Sequence, residues 1–158
     1  MKLIYALPAI LLFCSAASHS AELPVKSVPA FSGHDGLIPQ LPPGMNVMAG
    51  YITIRNNSKK PLVLTGFSSP RFKRVEAHQT VNRNGMLGMQ KQLSLTVPAK
   101  SRLQLKPGGI HFMLIGPKRP LQLSETVRIL CETGNKQKVT FELTVRPLSS
   151  THKSGHHH

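Results

Sequence analysis

Arg74-Val75-Glu76-Ala77-His78-Gln79-Thr80-Val81 and Leu87-Gly88-Met89-Gln90-Lys91-Gln92 stand on either side of Asn82-Arg83-Asn84-Gly85, and this stretch decides the fold class. An Asn-Gly pair between such flanks is the strongest local signal for a β-hairpin, because both residues accept the positive φ that a tight hairpin turn needs. Outward from the hairpin the same grammar repeats. Tyr51–Arg55, Leu62–Phe67, Leu93–Val97, Arg102–Leu105, His111–Ile115, Thr126–Cys131 and Lys138–Val145 read as strands. The breaks between them are rich in Gly, Pro, Asn and Ser: Asn56–Pro61, Ser68-Ser69-Pro70, Pro98-Ala99-Lys100, Lys106-Pro107-Gly108-Gly109, Gly116–Pro120 and Gly134-Asn135. These short strands at turn spacing predict an all-β sandwich. No stretch carries a long amphipathic helix, and no internal repeat is visible.

The chain has 158 residues, of which 40% are hydrophobic, enough for one packed domain and too many for wholesale disorder. Residues 1–20 read as a secretory signal peptide: Lys2 precedes the apolar run Leu3–Phe13, which is too short to span a bilayer, and small residues follow. Cleavage after Ala17, Ser18 or Ser20 gives an exported, periplasmic chain. A lipoprotein cleavage before Cys14 is the alternative, disfavoured by the bulky Phe13. Residues 21–44 carry five prolines and no apolar periodicity, and read as a flexible leader. Order is expected from Met45 to Arg146, followed by a flexible tail over 147–158. Beyond the signal only Cys131 remains, so no internal disulfide or CxxC redox pair can form. Cys131 reads as a small buried apolar residue on a strand, with a metal ligand or an intermolecular cross-link as alternatives.

Four residues outside ordinary strand patterning carry chemistry: His78, Met89, His111 and Met113. His111 and Met113 lie two apart on a strand and leave the same face. His78 and Met89 are eleven apart across the hairpin turn, and with an even-length loop an odd separation puts both on one face. Taken singly, a strand methionine is usually core filler and a lone histidine a surface or hydrogen-bonded group. Together they form a neutral set of two imidazoles and two thioethers. Thioether sulfur is soft and suits Cu(I), whereas zinc prefers thiolate or carboxylate partners. Such a set can hold Cu(I) without the tight grip of thiolates. It also lacks the Cys of a copper electron-transfer site, which argues against an enzyme or redox catalyst.

The spacing His78-x10-Met89-x21-His111-x-Met113 resembles the signature of the periplasmic Cu(I) chaperones written PCu(A)C. Val75–Thr80 is similar to the family's first ligand segment, and Leu105-Lys106-Pro107-Gly108-Gly109-Ile110-His111-Phe112-Met113-Leu114 with Lys118-Arg119-Pro120-Leu121 to its second. Tyr51–Asn57 resembles its opening strand, so the likeness covers about residues 45–146. It implies a cupredoxin-like Greek-key sandwich holding one Cu(I) at an exposed end. It also implies delivery toward the copper centre of cytochrome c oxidase, with the oxidase copper subunit or a Sco-type thioredoxin-like protein as partner. Gln79 departs from the pattern, standing where family members have Glu and removing a nearby carboxylate.

His152 with His156-His157-His158 forms an accessory tract of nitrogen donors suited to Cu(II). His34, Met45 and Met48 could assist the main site, while Met86, three residues from Met89, reads as core or rim. The charge is +14, from 20 Lys+Arg against 6 Asp+Glu. Export and the absence of a stacking platform exclude nucleic acid as partner. The excess reads as a solvated face of a monomer, or as attraction to an acidic partner or an anionic membrane surface. The expected function is a Cu(I)-carrying chaperone. Copper sequestration for tolerance and a basic adhesion module without copper dependence are the alternatives.

Overall fold

A computed structural model describes residues 29–42 and 44–147. The signal segment and the His152, His156, His157 and His158 tract lie outside the described residues. Ten strands run in chain order: β1 Phe31–Pro39, β2 Val47–Asn56, β3 Leu62–Ser68, β4 Phe72–Arg83, β5 Met86–Gln92, β6 Leu95–Val97, β7 Arg102–Leu105, β8 Ile110–Pro117, β9 Thr126–Thr133 and β10 Lys138–Arg146. They form one hydrogen-bonded path, β5-β4-β8-β2-β1-β10-β9-β3-β6, with β7 also on β2. Among the described residues the path does not close into a barrel. It folds into a sandwich, since β2 pairs β8 through Val47–Gly50 and β7 through Ile52–Arg55.

Strand alternation builds the core. Met48, Ile52 and Ile54 of β2, Val75 and Ala77 of β4, and Phe112 and Leu114 of β8 turn inward. They meet Leu64, Val127, Ile129, Phe141, Leu143 and Val145 from the other layer. The Phe67 and Phe112 rings lie 5.5 Å apart across the layers. Gly50 keeps the layers close, because a Cβ there would sit 2.8 Å from Leu143 Cδ2. Cys131 is wholly buried, and burial pushes its thiol up to about 12, so it serves as core apolar volume.

The folded region begins earlier than Met45, which corrects the expectation of a flexible leader through residue 44. β1 lies within that segment, pairing antiparallel with β2 and parallel with β10. Its own sequence lacks alternation, and what holds it is a partner on each edge. Glycine permits the approach: a Cβ on Gly36 would stand 2.1 Å from the Glu142 carbonyl oxygen.

Candidate metal centre

The hairpin that opens the site closes on two residues only, Asn84 at φ 54° and Gly85 at φ 83°, with Arg83 opposite Met86. Asn82 Oδ1 accepts the Gly85 N–H at 2.9 Å and fixes the turn. This register sets Thr80 opposite Met89 and His78 opposite Lys91. On the other edge of β4, His78 pairs His111 and Glu76 pairs Met113. Paired residues of neighbouring strands share a face, as do residues two apart. Glu76, His78, Thr80, Met89, Lys91, His111 and Met113 therefore share the outward face of β5-β4-β8. The expected ligands His78, Met89, His111 and Met113 are brought onto one surface, with the imidazoles directly opposed and Met89 on the diagonal.

The two imidazoles are held differently. The His111 side of the pair is set by the Lys106–Gly109 turn, where Gly108 adopts φ 71° and Lys106 N–H donates to the Ile110 carbonyl at 2.7 Å. His111 is 5% exposed, and its Nδ1 lies 3.1 Å from the Gly109 carbonyl oxygen. A carbonyl only accepts, so Nδ1 carries the proton and Nε2 keeps its lone pair. The Tyr51 ring meets the His111 ring edge-on at 6.4 Å, and burial raises the Tyr51 phenol above its ordinary value.

His78 is anchored by the opposite nitrogen. Its Nε2 lies 2.9 Å from Glu76 Oε2, while Lys91 Nζ at 2.8 Å and Arg74 Nε at 3.2 Å hold Glu76 Oε1. Hydrogen bonds from Lys91 and then His78 draw the Glu76 carboxyl down to about 2. An ionised carboxylate only accepts, so Nε2–H donates and the neutral ring's lone pair is on Nδ1. That Nδ1 is buried and has no hydrogen-bond partner among the described residues. An orphaned buried nitrogen is a cost in the metal-free chain that a bound cation would remove.

The donor set fits a soft monovalent metal. The ring centroids of His78 and His111 are 6.4 Å apart. Two imidazole nitrogens each ~2 Å from one ion would put the centroids roughly 5–6.5 Å apart. Among the described residues no three His, Cys, Asp or Glu side chains gather to hold a metal, and the other soft donors on this face are the thioethers of Met89 and Met113. Met113 is half-buried beside Glu76 and Ala49, and Met89 is 61% exposed on the end strand. The shared face thus runs from a covered imidazole to an open thioether.

Other expected helpers stand apart. Met48 is in the core, Met45 is exposed, and His34 of β1 is bonded to Ser32 Oγ. Met86 is 75% exposed on the opposite face of β5, on the rim and outside the core. The expected loss of a carboxylate at Gln79 is also corrected. Gln79 leaves the opposite face, and Glu76 supplies the carboxylate from two residues before His78. Glu76 and Lys91 escape a reading of the chain that looks only at the neighbour after the ligand. Same-face parity on the strand was the available signal for Glu76.

Comparisons with known proteins agree with this architecture. The solution structure of Cu(I)-DR1885 from Deinococcus radiodurans is 30% identical, with a TM-score of 0.60 over 84% of this chain and 85% of that one. The copper-bound PCuAC domain from PmoF2 shares the fold at 18% identity and a TM-score of 0.62, covering 77% of this chain and 96% of that one. The chain is thus structurally homologous to PCuAC domains. "Putative lipoprotein Lxx21020" of Leifsonia xyli subsp. xyli is 27% identical over 112 residues, 70% of this chain and 68% of the relative. The family profile described as "Putative lipoprotein LpqE-like" matches residues 32–145, from the start of β1 to the end of β10. With that match spanning all ten strands, the chain belongs to the LpqE-like family.

Proposed function

We propose that this chain carries Cu(I) outside the cytoplasm and passes it to an acceptor protein. His78 Nδ1, His111 Nε2 and the sulfurs of Met89 and Met113 would hold the ion. The observation that carries the reading is the opposed pair of imidazoles, each tied through one nitrogen and free at the other, on a face shared with two thioethers. Copper is the cargo in this reading. Neutral thioethers exchange readily, so an acceptor's thiolate or imidazole can displace the exposed Met89 first and the covered His111 last. The copper centre of cytochrome c oxidase is the proposed destination, with its copper subunit or a Sco-type thioredoxin-like protein as receiver. The likeness to a Cu(I)-loaded structure supports the choice of metal.

The test is a Cu(I) competition titration on the reduced chain. Wild type is compared with the double variant His111→Ala, Met113→Ala, each with and without residues 152–158. One tightly held Cu(I) per chain, lost in the double variant and kept without the tail, is the expected result. Binding that survives the double variant and leaves with the tail would replace the carrier by a His-tail sequestering protein. Failure to pass copper to an apo acceptor would favour storage.

The location outside the cytoplasm is supported by the apolar N-terminal segment and by the lipoprotein descriptions of the family and the Leifsonia relative. Those descriptions lift lipid attachment at Cys14 to the level of cleavage after residues 17–20. The mass of the N-terminal peptide from envelope-purified protein decides between them: a diacylglyceryl-modified Cys14 or an unmodified start at Ser18, His19 or Ala21. An uncleaved N-terminus would overturn export.

A further inference from the structure

Among the described residues β5 ends the hydrogen-bonded path and pairs only with β4. Of the seven large hydrophobic side chains exposed among the described residues, Met86, Leu87, Met89 and Leu93 lie on β5 or one residue past it, each 61–81% exposed. The two-residue turn makes Arg83 and Met86 a hydrogen-bonded pair, and such pairs alternate along a hairpin. Gly88, Gln90 and Gln92 therefore face β4 with their backbone groups. The Thr80 N–H confirms the phase by donating at 3.1 Å to Gly109 on the β8 side. The N–H and C=O groups of Leu87, Met89 and Lys91 consequently point off the sheet. Of the usual protections of an open edge β5 has one charge, Lys91, and neither a proline nor a bulge.

Charge selects what can cover it. β4 and β5 carry Lys73, Arg74, Arg83 and Lys91, and Glu76 is the one carboxylate of β4, β5 and β8. That carboxylate is already engaged by Lys91, Arg74 and His78. A second copy pairing through β5 would bring two basic β4–β5 hairpins together in a chain of charge +14. An acidic strand meets no such opposition.

We propose that the free edge of β5 docks an acidic, extended segment of the protein that receives the metal, adding a strand beside Met89. The purpose of this docking rests on the copper reading, while its geometry does not. Strand addition takes affinity from main-chain hydrogen bonds and specificity from alternate side chains. It would place the acceptor's donors at the most open ligand of the site, and Leu87 shares the face of Met89 as an apolar contact.

The probe is a fluorescent peptide of alternating Val and Thr with Glu at both ends, beside its counterpart with Lys at both ends, titrated into the copper-free full chain. The Glu peptide is expected to bind saturably, and the Lys peptide ~10-fold more weakly or not at all. Arg83→Glu and Leu87→Pro should each weaken the Glu peptide by ~10-fold, the second by removing an outward N–H without breaking the β4 ladder. Backbone amide shifts should concentrate at Leu87, Met89 and Lys91. Equal binding of both peptides, binding indifferent to Leu87→Pro, shifts elsewhere, or no saturable binding would each overturn the proposal. So would a concentration-dependent dimer abolished by Leu87→Pro, which gives the edge to a second copy. Copper titration of the same variants separates the two readings. If wild type fails to hold Cu(I) yet binds the Glu peptide at β5, the copper reading falls and the docking edge stands. If copper is held normally and the peptide does not bind, the docking proposal alone falls.

Discussion

At Glu76 one carboxylate oxygen takes the His78 Nε2–H while the other takes Lys91 and Arg74. The arrangement orients the ring, fixes its tautomer and leaves the Nδ1 lone pair unengaged, as outer partners do for imidazoles that bind metals. Glu76→Gln keeps the shape and removes the charge, so Lys91 and Arg74 would face an incoming cation unneutralised. Cu(I) affinity should fall by about 10–100-fold at fixed pH, read by competition titration, with the far-ultraviolet spectrum unchanged. Unaltered affinity would assign Glu76 to strand pairing alone. At this scale the shared face of His78, Met89, His111 and Met113 was legible, because parity along a strand and across an even loop is simple arithmetic. Lys91 was not, since it meets Glu76 only through a register that must be known to the residue.

Among the elements, the Arg71 guanidinium just before β4 reaches Glu125 just before β9, and Arg119 joins the same carboxylate. The contact clips the corner between β3 and β4 to the loop that starts β9. The hydrogen bond from Arg71, foremost, holds the Glu125 carboxyl below its ordinary value of 4.5 despite partial burial. The folded chain therefore takes up this proton less readily than the unfolded one. The contribution is complete above pH 4.5 and is lost as the pH falls through the folded value. Glu125→Gln should cost about 1–2 kcal/mol at pH 7. The melting temperatures of the variant and wild type should converge as the pH is lowered below 4.5. A gap that stays constant over that range would remove the ion pair from the account. β1 shows why an element can be invisible in the chain that forms it. Phe31–Pro39 has two glycines and no run of β-branched residues, and it becomes a strand because β2 and β10 occupy both its edges.

Across the whole molecule, nine strands were legible because alternation and Gly/Pro breaks are local signals. Their order was not. β8 inserts between β4 and β2, a pairing separated by dozens of residues, and only this insertion puts His111 against His78. The basic excess was legible as a total but not as a pattern, since its meaning depends on Glu76 being the single carboxylate near an open edge. One oxygen also connects the parts of this centre. The Gly109 carbonyl accepts both the Thr80 N–H from β4 and the His111 Nδ1–H from β8. Rotation of the His111 ring changes what that oxygen accepts, and with it the Thr80 amide, which lies two residues from His78 on β4 and opposite Met89. The backbone therefore contains a built-in spectroscopic reporter. If His111 takes up the ion proposed above, a single amide resonance, on a residue outside the proposed ligand set, would register the change.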